Sequence, residues 1–275
     1  MHQLEEKMRD DFIEFKQYYH QSAKQVPADS FYLHAINHKF RHSVEVLHNG
    51  QILLNQSPEL KNQSKEFKHL AELALLFHDV GRFEEAVLQY KAPAQAFHYD
   101  HGLMGYELLK TNPKYQDMRI LFAIRYHGKL IEEAWESPLW QELKNTPQSE
   151  DIKKILYLVR DADKLANFYR IKQNDYLRKD LFYKQLTQET LYAELSEKVK
   201  QQYLQKKPIA LSDVYSFADR ILLVLAMYFD LNYQLSKELF IKKGYDTYLL
   251  GLLAEYIKDK AEFAEIKAVF YQSTK

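Results

Sequence analysis

Glycine and proline are scarce in this chain: seven of each punctuate 275 residues. Sheets need frequent tight reversals, and reversals draw on those two residues, so long helices joined by short loops are expected. The apolar spacing agrees. Leu4, Met8, Phe12, Phe15 and Tyr19 recur at helical intervals and predict a helix over 2–25. Pro27 ends it, and Ala28-Asp29-Ser30 offers a cap for a second helix over about 30–56. A third, 65–80, places Leu70, Leu73, Ala74 and Phe77 toward the core and closes at Gly81, which suits a left-handed residue after a helix. Residues 82–97, with Pro93, read as irregular. Helices follow at about 100–110 and 114–127, then a polar connection containing Pro138 and Pro147. Ser149 opens a sixth helix carrying Ile155, Leu158, Val159, Ala162, Leu165 and Ala166, and from about 175 the pattern is again helical and rich in Tyr, Phe and Leu. The expected class is all-α.

Lys+Arg and Asp+Glu balance at 38 each, so nothing in the net charge draws the chain to nucleic acid or to anionic membranes. The chain has no cysteine, which leaves His, Asp and Glu as metal ligands. The opening MHQLEEKMRDDF is unlike a secretory signal, and the apolar run near Ile221 to Phe229 is too short to span a bilayer. A cytoplasmic protein is expected. All eleven histidines precede residue 128. Residues 1–175 are therefore read as a helical core bearing the chemistry. Residues 176–275 are read as a C-terminal helical extension packed on it, the two forming one structural unit.

The decisive feature is His78-Asp79. It closes the strongly apolar LALLFHDVG, so an imidazole and a carboxylate enter the core just before a chain reversal. Burying both is costly unless both are satisfied, and a metal ion satisfies them together. A second acidic intrusion, Arg160-Asp161-Ala162-Asp163-Lys164, interrupts another apolar helix, although an ordinary ion pair of Asp161 with Arg160 or Lys164 would also explain it. His101 and His127 lie in polar breaks beside Gly102 and Gly128, where the backbone can approach a site closely.

The ordered set resembles the HD superfamily of helical, metal-dependent phosphohydrolases. It runs Arg41-His42-Ser43, FHDVGRFEE at 77–85, DHGLMG at 100–105, AIRYHGK at 123–129 and RDADKLANF at 160–168. More narrowly it is similar to a group of bacterial HD-domain proteins with a His-Asp-x-Gly-Arg-Phe-Glu signature and a later Arg-Asp-Ala-Asp-Lys-Leu. AMYFDLNYQLS at 226–236 also resembles that group, so the likeness spans about 36–240. It implies an HD-domain helical bundle with additional C-terminal helices. It implies metal ligation by His42, His78, Asp79 and Asp163, with Asp161 behind them. His101 and His127 match the extra histidines of members that hold two metals. Arg82 stands where many HD proteins have lysine, which keeps the charge but alters the geometry.

Four imidazoles and two carboxylates suit one or two divalent transition metals (Fe, Mn, Zn, Co or Ni, with Mg admissible) better than calcium. Asp79 has two oxygens and can bridge two ions. The charge remaining on the ions attracts phosphate, and a water acidified by them can attack phosphorus. Arg82 and Lys164 are candidates to neutralise charge on phosphate oxygens, beside Asp79 as the catalytic carboxylate. The expected reaction is hydrolysis of a phosphoester or phosphoanhydride in a small phosphorylated substrate, a nucleotide included. Two alternatives use the same ligands: a di-iron oxygenase of the HD type, and a non-catalytic sensor of a phosphorylated ligand. His34 and His38 share a helix face with His42 but have no carboxylate at helical spacing, His98 stands close to His101, and His2, His20, His48 and His69 read as surface residues. The Tyr and Phe stripes of the C-terminal half read as core, compatible with a homodimer.

Overall fold

The computed structural model describes residues 2–93, 99–174 and 187–274. It divides into two compact units, Met1–Asp163 and Lys164–Lys275. The first carries α1 (His2–Ala23), α2 (Phe31–Gln56), α3 (Lys65–Phe77), α4 (Gly81–Lys91), α5 (His101–Lys110), α6 (Met118–Tyr126), α7 (Ile131–Glu136), α8 (Pro138–Leu143) and the first part of α9 (Ser149–Asn174). Among the described residues there is no strand, and the class is all-α as expected.

Four side-chain caps start the site-bearing helices. Ser30 accepts from the Leu33 amide, Ser64 from Phe67, Asp100 from Leu103 and Asp117 from Arg119. Each contributes about 1 kcal/mol to its helix. In the core of this unit, α2 packs on α3 and α4, α3 on α6, α4 on α5, and α5 on α6. Helix α1 packs on α2, α3 and α4, and Phe15 locks it there. That ring is fully buried, stacked on Phe40 at 5.5 Å and edge-on to Phe77 at 5.4 Å.

Gly81 does not take the left-handed conformation expected of it. His78 (φ −52°, ψ −38°) and Val80 (φ −58°, ψ −33°) stay right-handed, and Gly81 opens α4. Among the described residues Gly244 alone has positive φ for its type. What Gly81 supplies is close approach: a Cβ there would strike the His101 carbonyl and the Gly105 amide, and one on Gly102 would strike the Arg125 carbonyl. Two other expectations need correcting. Residues 82–91, read as irregular, are helical, because Phe83, Ala86 and Val87 bury one face of α4. The connection around Pro138 holds α7 and α8, with Pro138 in the first turn of α8, where its missing N–H costs nothing. Trp135 and Trp140 from these helices pack on Phe122.

His69, expected at the surface, is buried. Helix α1 covers it and sets its Nε2 3.6 Å from the fully buried Asp11, which Lys114 neutralises at 2.5 Å. His20, His34 and His48 are exposed, whereas His2 and His98 lie outside the residues whose side chains are described.

The second unit contains the rest of α9 with α10 (Gln188–Tyr192), α11 (Glu197–Leu204), α12 (Phe217–Ala226), α13 (Gln234–Lys242), α14 (Tyr245–Ala254) and α15 (Lys260–Gln272). Every residue of α12 is buried. Part of the aromatic content is core, where Phe240 meets Phe168, Tyr228, Tyr245 and Phe270, whereas Tyr192, Tyr215 and Tyr271 are exposed. Asp219 in the first turn of α12 accepts from the amides of Ser196, Tyr215 and Ser216, tying the preceding loops to the helix start.

Candidate metal centre

His42, His78, Asp79, His101, His127 and Asp163 come together in the first unit, drawn from five helices and the turns that end them. Helix α2 brings His42, the turn after α3 brings His78 and Asp79, α5 begins with His101, α6 is capped by His127, and α9 brings Asp163. Two sets of ligand atoms lie within 4.8 Å of one another: His42, His78 and Asp163, and His78, Asp79 and His127.

Asp79 stands at the middle, 4% exposed. Its Oδ2 lies 3.5 Å from His78 Nε2 and 3.9 Å from His42 Nε2. Its Oδ1 lies 3.5 Å from both His101 Nε2 and His127 Nε2, which are themselves 3.2 Å apart. One carboxylate therefore presents a different oxygen to each pair of imidazoles. His42 Nε2 also lies 2.8 Å from Asp163 Oδ1.

Two of the imidazoles have their tautomer set by the backbone. His78 donates Nδ1–H to the Leu75 carbonyl at 2.9 Å, and His127 donates Nδ1–H to the Ile124 carbonyl at 2.9 Å. With Nδ1 so engaged, each ring turns its Nε2 inward, the arrangement by which outer contacts orient metal-bound histidines. His78 Nε2 is fully buried and has no hydrogen-bond partner. A buried acceptor left so is costly, and a cation at this point would satisfy it. The donor set, mixed imidazole and carboxylate, fits a divalent transition metal.

The electrostatics favour a charged Asp79. Burial would raise its pKa, but the Lys39 ammonium, which donates to Oδ2 at 2.8 Å, and the imidazoles of His78 and His127 hold it well below the ordinary carboxylate range. Asp163 is likewise held low, its burial outweighed by the hydrogen bond with His42. Burial pushes His42 down to about 4, against the pull of Asp163, and pushes His101 down too. His78 goes the other way. Burial lowers it, yet the adjoining Asp79 carboxylate outweighs that and its pKa is raised.

Arg82 reaches the cluster, with Nε 3.7 Å from Asp79 Oδ1 and Nη1 2.7 Å from Glu85 Oε2. Lys164 has its ammonium 2.9 Å from Asp230 within the second unit. Asp161 is fully buried in α9. Its neighbour Arg160 does not simply pair along the helix. It donates to the carbonyls of His127 (2.9 Å) and Lys129 (2.5 Å), fixing the turn after α6. His38 lies beside His42, ring centroids 6.5 Å apart and nearly parallel. The sequence singles out neither Lys39 nor Glu85, and it offers Arg160 only as an ion-pair partner of Asp161. Lys39 stands one helical turn before His42, and that spacing was the available signal.

Residues 40–167 match the family model of the HD domain. Over that segment the chain is similar to HD domains. All six converging side chains fall inside it. HD domains bind divalent metals and are in general hydrolases, and the buried His/Asp cluster offers ligand atoms that could hold such a metal. No curated protein and no solved structure matches the chain. Among the described residues, no helix is long and apolar enough to cross a membrane.

Proposed function

We propose that the HD domain hydrolyses a phosphoester or phosphoanhydride of a small phosphorylated metabolite, nucleotides among them, with two divalent ions. The observation that carries this reading is Asp79, whose Oδ2 faces His42 and His78 while its Oδ1 faces His101 and His127. His42, His78, Asp79 and Asp163 would hold one ion, and His101, His127 and the second oxygen of Asp79 the other. Ions so bound would supply a water acidic enough to deprotonate near neutral pH and positive charge for the phosphate oxygens.

The remaining work falls to the chain itself. Lys39 keeps Asp79 ionised and oriented by donating to Oδ2. The Leu75 and Ile124 carbonyls hold His78 and His127 in the tautomer that faces inward. Arg82 receives the phosphate: its Nε is buried without a hydrogen-bond acceptor, and a phosphate oxygen would supply one. Lys164 is less suited to that role, since Asp230 already neutralises its ammonium.

The test is metal analysis of purified protein after growth with each candidate metal, then a screen of phosphorylated metabolites for phosphate release. Roughly two equivalents of metal and release of phosphate are expected. Less than about one-tenth equivalent of any metal would sink the reading, given how strongly such ligands bind. Bound iron with oxygen uptake and no phosphate release would overturn hydrolysis in favour of oxygenase chemistry.

A further inference from the structure

Beside the metal centre, and sharing His101 with it, the surface opens into a cleft of about 130 Å³ bounded by Tyr99, Asp100, His101, Arg125, Gly128 and Lys129. That volume is well below the roughly 300–1,000 Å³ of a site that swallows a whole ligand, so the cleft takes one group of a larger molecule. Its charge says which kind. Arg125 Nη1 lies 2.9 Å and Lys129 Nζ 3.1 Å from the same oxygen, Asp100 Oδ2, so two cations converge against one carboxylate. The other oxygen of Asp100 is spent on the Leu103 amide at the start of α5. One positive charge is left over, and both cations retain donors beyond their single contact with Asp100.

The walls are braced. Arg160 pins the carbonyls of His127 and Lys129, so the turn that carries Lys129 is held by a buried guanidinium. Gly128 has no side chain to close the cleft, and a Cβ there would sit 3.3 Å from Cε1 and Nε2 of His101. The imidazole that faces Asp79 with its Nε2 therefore also lines the cleft.

We propose that this cleft is a subsite for a second anionic group of the substrate, so that the enzyme selects phosphorylated molecules bearing another phosphate or a carboxylate. The proposal rests on the hydrolase reading above, and it adds Arg125 and Lys129 as the residues that set specificity. Arg125 offers a planar fork to the anion and Lys129 a point charge, a pairing suited to oxygen clusters.

The test uses the metal-loaded full chain and calorimetric titration with inorganic phosphate, pyrophosphate, short alkyl-bridged bisphosphonates and the matching phosphonocarboxylates. At least one two-anion probe is expected to bind about tenfold more tightly than phosphate, the scale of one charge-assisted contact. The variant Arg125→Met/Lys129→Met is expected to bring that ratio to about one, with Lys129→Met alone, the more exposed change, giving part of the loss. The bisphosphonate and phosphonocarboxylate arms tell a phosphate-selective subsite from a carboxylate-selective one. Equal binding of one-anion and two-anion probes to the natural chain, or a ratio that survives both substitutions with metal content intact, overturns the subsite alone. A chain that holds metal but binds neither phosphate nor any two-anion probe overturns the hydrolase reading and the subsite together.

Discussion

His78 and His127 are held by the same device: each follows the last turn of its helix in right-handed conformation and donates Nδ1–H to the carbonyl three residues earlier, at 2.9 Å in both. The two rings meet edge to face, centroids 5.0 Å apart, with Asp79 reached by both Nε2 atoms at 3.5 Å. The duplication assigns different weights to the ligands. His78 belongs to both candidate ligand sets, whereas His127 belongs to one. Asp79→Ala, which removes the carboxylate both ions would share, is expected to abolish binding of both, and His78→Ala to remove at least the ion it would hold with His42 and Asp163. His101→Ala and His127→Ala should each lower metal content by about one equivalent of the two a bridged centre holds. Elemental analysis of the four variants decides it, and equal losses across the set would contradict a shared carboxylate.

The protonation states predict how metal affinity follows pH. Binding needs the Nε2 lone pair of His78, whose pKa is raised above 6.5 after Asp79 outweighs burial. Its proton stabilises the metal-free fold below 6.5, and that contribution is lost as pH rises through the raised value. Metal competes for the same site, so binding releases a proton and affinity falls as pH drops. The slope approaches about tenfold per unit for each proton released once pH is well below the pKa. Below about 4 the slope steepens, because His42 then protonates as well. Competition against a chelator from about pH 3 to about pH 7.5, which runs from below His42 to above His78, measures it, and a flat profile would contradict the assignment.

How much of this was legible in the sequence depends on whether a residue's neighbours betray it. His78 and Asp79 could be read because they close an apolar helix, and His127 because it ends one, whereas Asp163 was singled out from Asp161 only by the resemblance. Lys39 could not. It is one more charged residue on the face of α2, and only the approach of α2 to the turn after α3 gives it Asp79 as a partner. Helix α4 was hidden because Gly81 and Pro93 look like breakers when only local propensity is weighed. Yet Gly81 serves packing, and the helix ends by Lys91 before the proline matters. His69 was misjudged because its burial depends on α1 folding over it.

Close packing makes the glycines of α5 a test of how the second half of the centre is aimed. A Cβ on Gly102 would meet the Arg125 carbonyl, a backbone atom that cannot rotate away. Gly102→Ala must push α5 from α6 and carry His101 off His127. We expect a loss of about 1–3 kcal/mol in urea unfolding, the usual range for overpacking. The same variant should also show weaker binding of the ion that His101 would share. Gly251→Ala is the control, since no atom lies within 4 Å of its added Cβ.

Arg82 and Glu85 make the last case, because the ion pair between them at 2.7 Å separates charge from placement. If Arg82 steadies a phosphate, Arg82→Ala should cost about 10²-fold in kcat, the scale of one lost electrostatic donor at a reacting oxygen. Arg82→Lys keeps the charge but not the fork, and should recover only part of it. Glu85→Gln leaves the guanidinium in place without its anchor. It should raise KM more than it lowers kcat, by roughly three- to tenfold, the value of a mostly buried ionic contact once partly replaced by an amide. All three variants should retain full metal content, since neither residue is a ligand. Loss of metal in Arg82→Ala would mean that the arginine supports Asp79, which it approaches at 3.7 Å, and does not act on the substrate.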